Sequence, residues 1–168
     1  MLRPEKHAHF TDFNQIRKDA FILLNLGYGL NRLLNDPEGD VASRRENALF
    51  RDYGAMYENE TSLRLISIAI ASRIMDDRLI DSCPEAAATR FVHDELLGDD
   101  EEGEALNLRQ CFNKIIHATG INHELQLPEV YLFGKHQSDK GWHVRLFLLP
   151  FCTAVYQWVD QYQKPQIT

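Results

Sequence analysis

Arg109, Asn113 and His117 stand four residues apart within Leu108-Arg109-Gln110-Cys111-Phe112-Asn113-Lys114-Ile115-Ile116-His117-Ala118. If the segment is helical, that spacing aligns them in one polar stripe. An imidazole, with an ordinary pKa of about 6.5, takes or gives a proton at neutral pH. An amide can hold a hydroxyl or phosphate oxygen, and a guanidinium can steady a phosphate. With Lys114 beside them, these groups suffice to cleave RNA through its own 2′-hydroxyl. His117 would be the general acid or base, Asn113 the positioning group, and Arg109 and Lys114 the phosphate contacts. Such chemistry needs no metal and no other cofactor. A purely structural reading of His117 stands beside this one: Gly120 stops the helix just beyond it, where an imidazolium complements the helix dipole.

Other candidate groups are read chiefly as structural. Glu58, Asn59 and Glu60 could supply a carboxylate to the stripe from a neighbouring helix, or simply face water. Asp76 and Asp77 beside Arg73 and Arg78 read as a charge network, because adjacent aspartates point to different helix faces. Arg90 and His93 sit beside Asp94 and Glu95 and read as a surface salt-bridge cluster. His7, His9 and His123 have no partner at metal-ligand spacing, and His136 and His143 read as a cross-strand pair. GxxxxGK, GxGxxG, GxSxG and HExxH are all absent, which removes most of the case for NTPases, Rossmann oxidoreductases, serine hydrolases of that type and zincins.

The elements that must position the stripe follow from periodicity. Apolar residues from Thr11 to Asn35 recur at three and four and predict a first helix, which Pro37 and Gly39 end. Charged residues from Val41 to Tyr53 leave helix and loop both open. From Ala55 to about Ile80 a second helix is expected, with Met56, Leu63, Ile66, Ile70 and Ile74 as its apolar side. Ser67, Ala69, Ala71 and Ser72 would let a neighbour approach a second face. Ser82, Cys83 and Pro84 restart a short helix through Ala88, Phe91, Val92 and Leu96. Seven acids in the eleven residues from Asp94 to Glu104 read as a solvated loop.

The stripe-bearing helix is expected from about Glu104 to Gly120. Residues 129–148 alternate with period two around the polar turn Lys135–Gly141 and predict a β-hairpin. Pro150 opens a last helix, with a frayed tail near 163–168. No repeat or linker divides the chain, so residues 1–168 are expected to form a single domain.

With 44% hydrophobic and 26% charged residues in 168, the chain can bury a core, which excludes disordered and fibrous classes. A net charge of -7 argues against a broadly cationic nucleic-acid or membrane binder. The longest uncharged stretch, Leu146 to Val159, is shorter than the roughly 18–20 residues of a membrane span. MLRPEKHAHF holds no secretory apolar run, so a cytoplasmic protein without membrane contact is expected. Cys83, Cys111 and Cys152 suit neither a disulfide framework nor a zinc site and are expected to be buried thiols.

The segment Asn113-Lys114-Ile115-Ile116-His117 resembles the HEPN superfamily, whose signature is an arginine, four to six residues and a histidine, often with asparagine directly after the arginine. Asn113 and His117 match the asparagine and histidine, while Phe112 occupies the arginine position. Arg109 lies outside the family spacing, about 12 Å from His117 along a helix axis. The resemblance implies a mainly α fold: a HEPN-like four-helix up-and-down bundle, here with a β-hairpin inserted before the last helix. It also implies a homodimer through the helix carrying His117, which exposed apolar residues on that helix would favour. The activity implied is RNA-directed, a candidate metal-independent endoribonuclease of a toxin–antitoxin or phage-defence type system. The alternative is a non-catalytic HEPN-like scaffold that binds a protein partner, an antitoxin or defence component.

Overall fold

Ile16, Ala20, Leu23, Gly27 and Leu30 recur at three and four residues and form the buried ridge of α1 (Phe13–Leu34). They are seen in a computed structural model that describes residues 13–34, 48–82, 95–124 and 127–163. Asp19 lies buried on the same ridge. Its carboxylate accepts hydrogen bonds from Arg64 at 2.8 Å, Ser67 at 2.6 Å and Gln15 at 3.0 Å, so the buried charge is fully surrounded by donors.

Helix α2 (Ala48–Ser82) starts earlier than the firm part of its periodicity. Tyr53 supplies the reason: its hydroxyl donates to the Leu26 carbonyl at 3.1 Å, tying the charged first turns to α1. Gly29 makes room for that contact, since a Cβ there would collide with the Tyr53 hydroxyl. Contacts of Asp19 with Arg64 and of Leu26 with Tyr53 run in opposite directions along the two helices, so α1 and α2 are antiparallel.

The buried face of α2 is the reverse of the one its large aliphatics predict. Tyr57, Thr61, Leu65, Ile68, Ala69, Ser72 and Asp76 are buried, whereas Met56, Leu63, Ile66, Ile70 and Ile74 are exposed. Apolar residues occur on both sides of this helix, so periodicity alone cannot choose between them. Small and polar groups on the buried side let neighbouring helices come close and receive their side chains.

A four-stranded antiparallel sheet, in the order β1-β4-β3-β2, replaces the expected isolated hairpin. The hairpin itself is present as β3 (Glu129–Lys135) and β4 (Gly141–Phe147). The added strand β2 (Gly120–Glu124) follows the stripe-bearing helix and pairs with β3. The other added strand, β1 (Gly98–Asp100), comes from the acidic segment expected to be loop and pairs with β4. Leu97 and Leu106 anchor that segment in the core, while Asp99 meets Arg145 at 2.6 Å. Apolar anchors at both ends bring the acidic backbone to the sheet edge while Glu95, Glu101, Glu102 and Glu104 stay exposed.

Val130, Leu132, Trp142, Val144 and Leu146 are buried on the inner face of the sheet. Gly134 is required there, because a Cβ would enter the Trp142 ring. Helix α3 (Leu108–His117) packs on α2, β3 and α4 (Leu148–Gln163), and α4 packs on α1. Pro150 falls in the first turn of α4, where its missing amide costs nothing.

The fold is therefore mainly helical, with four helices among the described residues and one small sheet. The expected short helix after Cys83 and Pro84 falls on residues 83–94, outside the described residues, as do Cys83, Arg90, His93, His7, His9 and the expected helix stop at Pro37 and Gly39. Cys111 and Cys152 are buried free thiols, and burial pushes both up. Among the described residues no helix is long and apolar enough to cross a membrane.

Candidate functional site

Helix α3 is short and strongly organised. Asn107 caps it by accepting the Gln110 amide at 2.9 Å, and the Gln110 side chain accepts the Asn107 amide at 2.8 Å, a reciprocal capping box. Glu104 therefore lies before the helix, not at its start. Leu108, Cys111, Phe112 and Ile115 are buried. Phe112 meets Phe151 at 6.1 Å and Trp158 at 5.8 Å between ring centroids. Phe112 is thus a core position of this chain, and the guanidinium that the resembled motif would put there would be buried without a partner. Burial of this apolar face also removes the exposed residues expected to favour pairing through α3.

With that face fixed, Arg109, Asn113 and His117 occupy the adjoining stripe, and the structure separates them by role. Arg109 is ion-paired with buried Asp76 and lies 3.0 Å from Asp77. Arg73 pairs with the same Asp77 and donates to the Asn113 side-chain oxygen at 3.0 Å. Two guanidiniums and two carboxylates thereby join α2 to α3 in antiparallel order. Partial burial pushes the Asp77 carboxyl up, but Arg109 and Arg73 outweigh it and hold it below the ordinary range. Burial works against the Arg109 charge as well, and the two aspartates more than restore it. The charge network expected around Asp76 and Asp77 thus includes Arg109, whose own charge is neutralised there.

The far end of the stripe opens on a cleft of about 390 Å³ lined by Asn113, Lys114, His117, Lys135, His136, Gln137 and Trp142. Ala118 leaves the helix in extended conformation, and the Thr119 amide donates to the Phe133 carbonyl at 2.7 Å. That bond draws the end of α3 against β3 and places His117 near the hairpin tip. Trp142 forms the floor, with the Lys114 ammonium 4.2 Å from its ring centroid.

The tip is held by the His136 amide donating to the Lys140 carbonyl at 2.8 Å and by Lys135 paired with Asp139 at 2.9 Å. Asp139 takes the left-handed backbone conformation that closes the turn, at φ 62°. Two lysines and two histidines line the cleft, and among the described residues no carboxylate does, although Lys135 is paired with Asp139 beside it. On a chain of net charge -7 this is a local concentration of positive and titratable groups, suited to an anion such as a phosphate.

The structure thus brings Asn113, Lys114 and His117 together and leaves Arg109 outside the cleft. It adds Lys135, His136, Gln137 and Trp142, which sequence reasoning placed only in a hairpin. His136 does not pair with His143, whose ring stacks on Phe133 at 6.3 Å. Glu60 is engaged by Arg64 at 3.0 Å, and neither Glu58 nor Asn59 lines the cleft. His123 instead meets Ser62 at 3.0 Å and Tyr57 edge-on at 5.9 Å. Burial, partly offset by Glu58, holds the His123 imidazole below its ordinary range, and burial pushes the Tyr57 hydroxyl up to about 12.

Comparison with family models, curated proteins and solved structures finds no match for this chain. Among the described residues no group of three or more His, Cys, Asp or Glu could hold a metal ion.

Proposed function

We propose that this protein is a HEPN-like RNA-directed module, a cytoplasmic homodimer with a degenerate motif, acting as a metal-independent endoribonuclease of a toxin–antitoxin or phage-defence type. The observation that carries this reading is the cleft where His117 and His136 stand with Lys114 and Lys135. One imidazole takes the proton of a 2′-hydroxyl as its oxygen attacks the adjacent phosphorus. The other, as imidazolium, gives a proton to the departing 5′-oxygen. The products are a 2′,3′-cyclic phosphate and a 5′-hydroxyl. The lysines hold the phosphate oxygens, and Asn113, steadied by Arg73, positions the ribose. The fold belonging to this reading is a HEPN-like four-helix up-and-down bundle elaborated by the sheet.

A second reading is a non-catalytic HEPN-like scaffold for a protein partner. Phe112 buried at the motif's arginine position and the neutralised charge of Arg109 favour it. Incubating purified protein with cellular RNA in EDTA separates the two, beside folded His117→Ala and His136→Ala variants. Cleavage by the parent, lost in the variants, supports the nuclease. No cleavage by the parent supports the scaffold.

A further inference from the structure

Ser62 on α2 and His123 on β2 are distant in the chain, yet the Ser62 Oγ lies 3.0 Å from the His123 Nε2. A hydroxyl at this distance from an imidazole is the pairing that turns a serine into a nucleophile, because the ring nitrogen takes its proton as the oxygen attacks. Neither residue lines the cleft of Lys114 and His117, and the RNA-directed reading uses neither.

The ring is placed to accept a proton. Tyr57 meets it edge-on at 5.9 Å, and its Nδ1 is buried with no hydrogen-bond partner among the described residues. Desolvation of this kind keeps the imidazole neutral, against the opposing charge of Glu58. With the ring proton on Nδ1, the free lone pair is on Nε2 and faces the Ser62 hydroxyl. A buried polar atom left unpaired is uncommon in a scaffold, and a reacting group is one of the accepted reasons for it.

Ser62 is half-buried and stands between that ring and open solvent. The exposed side chains of Glu58, Asn59 and Ile66 are its neighbours on α2, three or four residues away. They supply a carboxylate, an amide donor and an apolar contact around one hydroxyl.

We propose that Ser62 and His123 form a second catalytic centre, a nucleophile and its general base, which hydrolyses small carboxylic esters. The Ser62 oxygen attacks the carbonyl carbon while His123 Nε2 takes its proton. The carbonyl oxygen gains the negative charge, and the Asn59 amide donates to it. As the bond to the alcohol oxygen breaks, the imidazolium gives its proton to that oxygen and the acyl group stays on Ser62. Water, deprotonated by the same nitrogen, then releases the carboxylic acid and restores the hydroxyl. One ester and one water give one acid and one alcohol. Glu58 stabilises the imidazolium between the two transfers, and Ile66 lies beside the acyl group.

The full chain is treated with p-nitrophenyl acetate and, separately, with a fluorophosphonate, and the adducts are mapped by mass spectrometry. A burst of nitrophenolate and an acyl or phosphonyl group on Ser62 are expected. Ser62→Ala, checked by circular dichroism, is expected to lose the adduct and to slow nitrophenolate release by about a hundredfold. Absence of any adduct on Ser62, or a Ser62→Ala variant as fast as the parent, overturns the proposal.

The role of His123 is read in the parent itself, so it does not depend on a variant that folds. The burst rate is expected to rise with pH through a midpoint below about 6.5, as the ring loses its proton, and then to level off. A rate that only follows hydroxide, with no such midpoint, overturns the pair. RNA has no part in these readouts, so this centre and the nuclease can fail separately.

Discussion

Arg109 donates to the carboxylate of Asp76, a side chain with no solvent exposure, across the interface of α3 and α2. Removing one member of a buried pair leaves the other charged and desolvated, which costs far more than the pair itself contributes. Arg109→Ala is therefore expected to destabilise the fold by about 3 kcal/mol. Any RNA cleavage per folded molecule should remain. Urea unfolding together with an RNA assay checks this, and loss of cleavage without loss of stability would return Arg109 to the site.

Phe112 is fully buried and packed against Phe151 and Trp158. Phe112→Ala should cost about 3–5 kcal/mol through the cavity it leaves. Phe112→Arg should cost at least as much, because it buries a guanidinium without a partner. Thermal unfolding and soluble yield of the two variants measure this directly.

Lys114 has a double attachment, to the Trp142 ring and to the cleft. Lys114→Met keeps most of the unbranched stem and removes the charge. On the nuclease reading it weakens RNA binding and lowers the steepness of its salt dependence by about one counterion. Its melting temperature should change little, since the side chain is only half-buried. Fluorescence anisotropy with labelled RNA at several salt concentrations reads both quantities.

The stability of the fold should fall with acid in two stages. The folded pKa of His123 lies below its ordinary value, so the unfolded chain binds the proton more readily. Stability is thus lost as pH drops from about 6.5 toward that lower folded value. Asp77, beside two arginines, and Asp100, whose carboxylate accepts the Glu104 and Glu102 amides, are shifted down as well. Their contribution is present above the ordinary carboxylate range and is lost as pH falls through their folded values. His123→Asn should flatten the upper stage and leave the lower one, as denaturant midpoints measured from about pH 2 to about pH 7.5 would show.

Much of the scaffold was legible in the sequence because short-range rules govern it. The buried ridge of α1, the apolar face of α3 and the β3–β4 hairpin follow from residue spacing and turn residues. Strand β1 was not legible, since seven acids obscure a backbone whose pairing is secured by Leu97 and Leu106 at its flanks. Strand β2 is short and half-exposed, and its alternation is too brief to separate from a loop.

The face of α2 was read in reverse for a more general reason. Periodicity reports which residues share a side, and a helix with apolar residues on two sides needs its neighbours to choose. The sequence by itself determined that Arg109, Asn113 and His117 share one stripe of a helix, because helical geometry relates residues four apart. Only the tertiary structure decided that Arg109 serves Asp76 while Lys114 and His117 face Lys135 and His136. Those partners lie far away along the chain, and only packing of α3 between α2 and the hairpin brings them within reach.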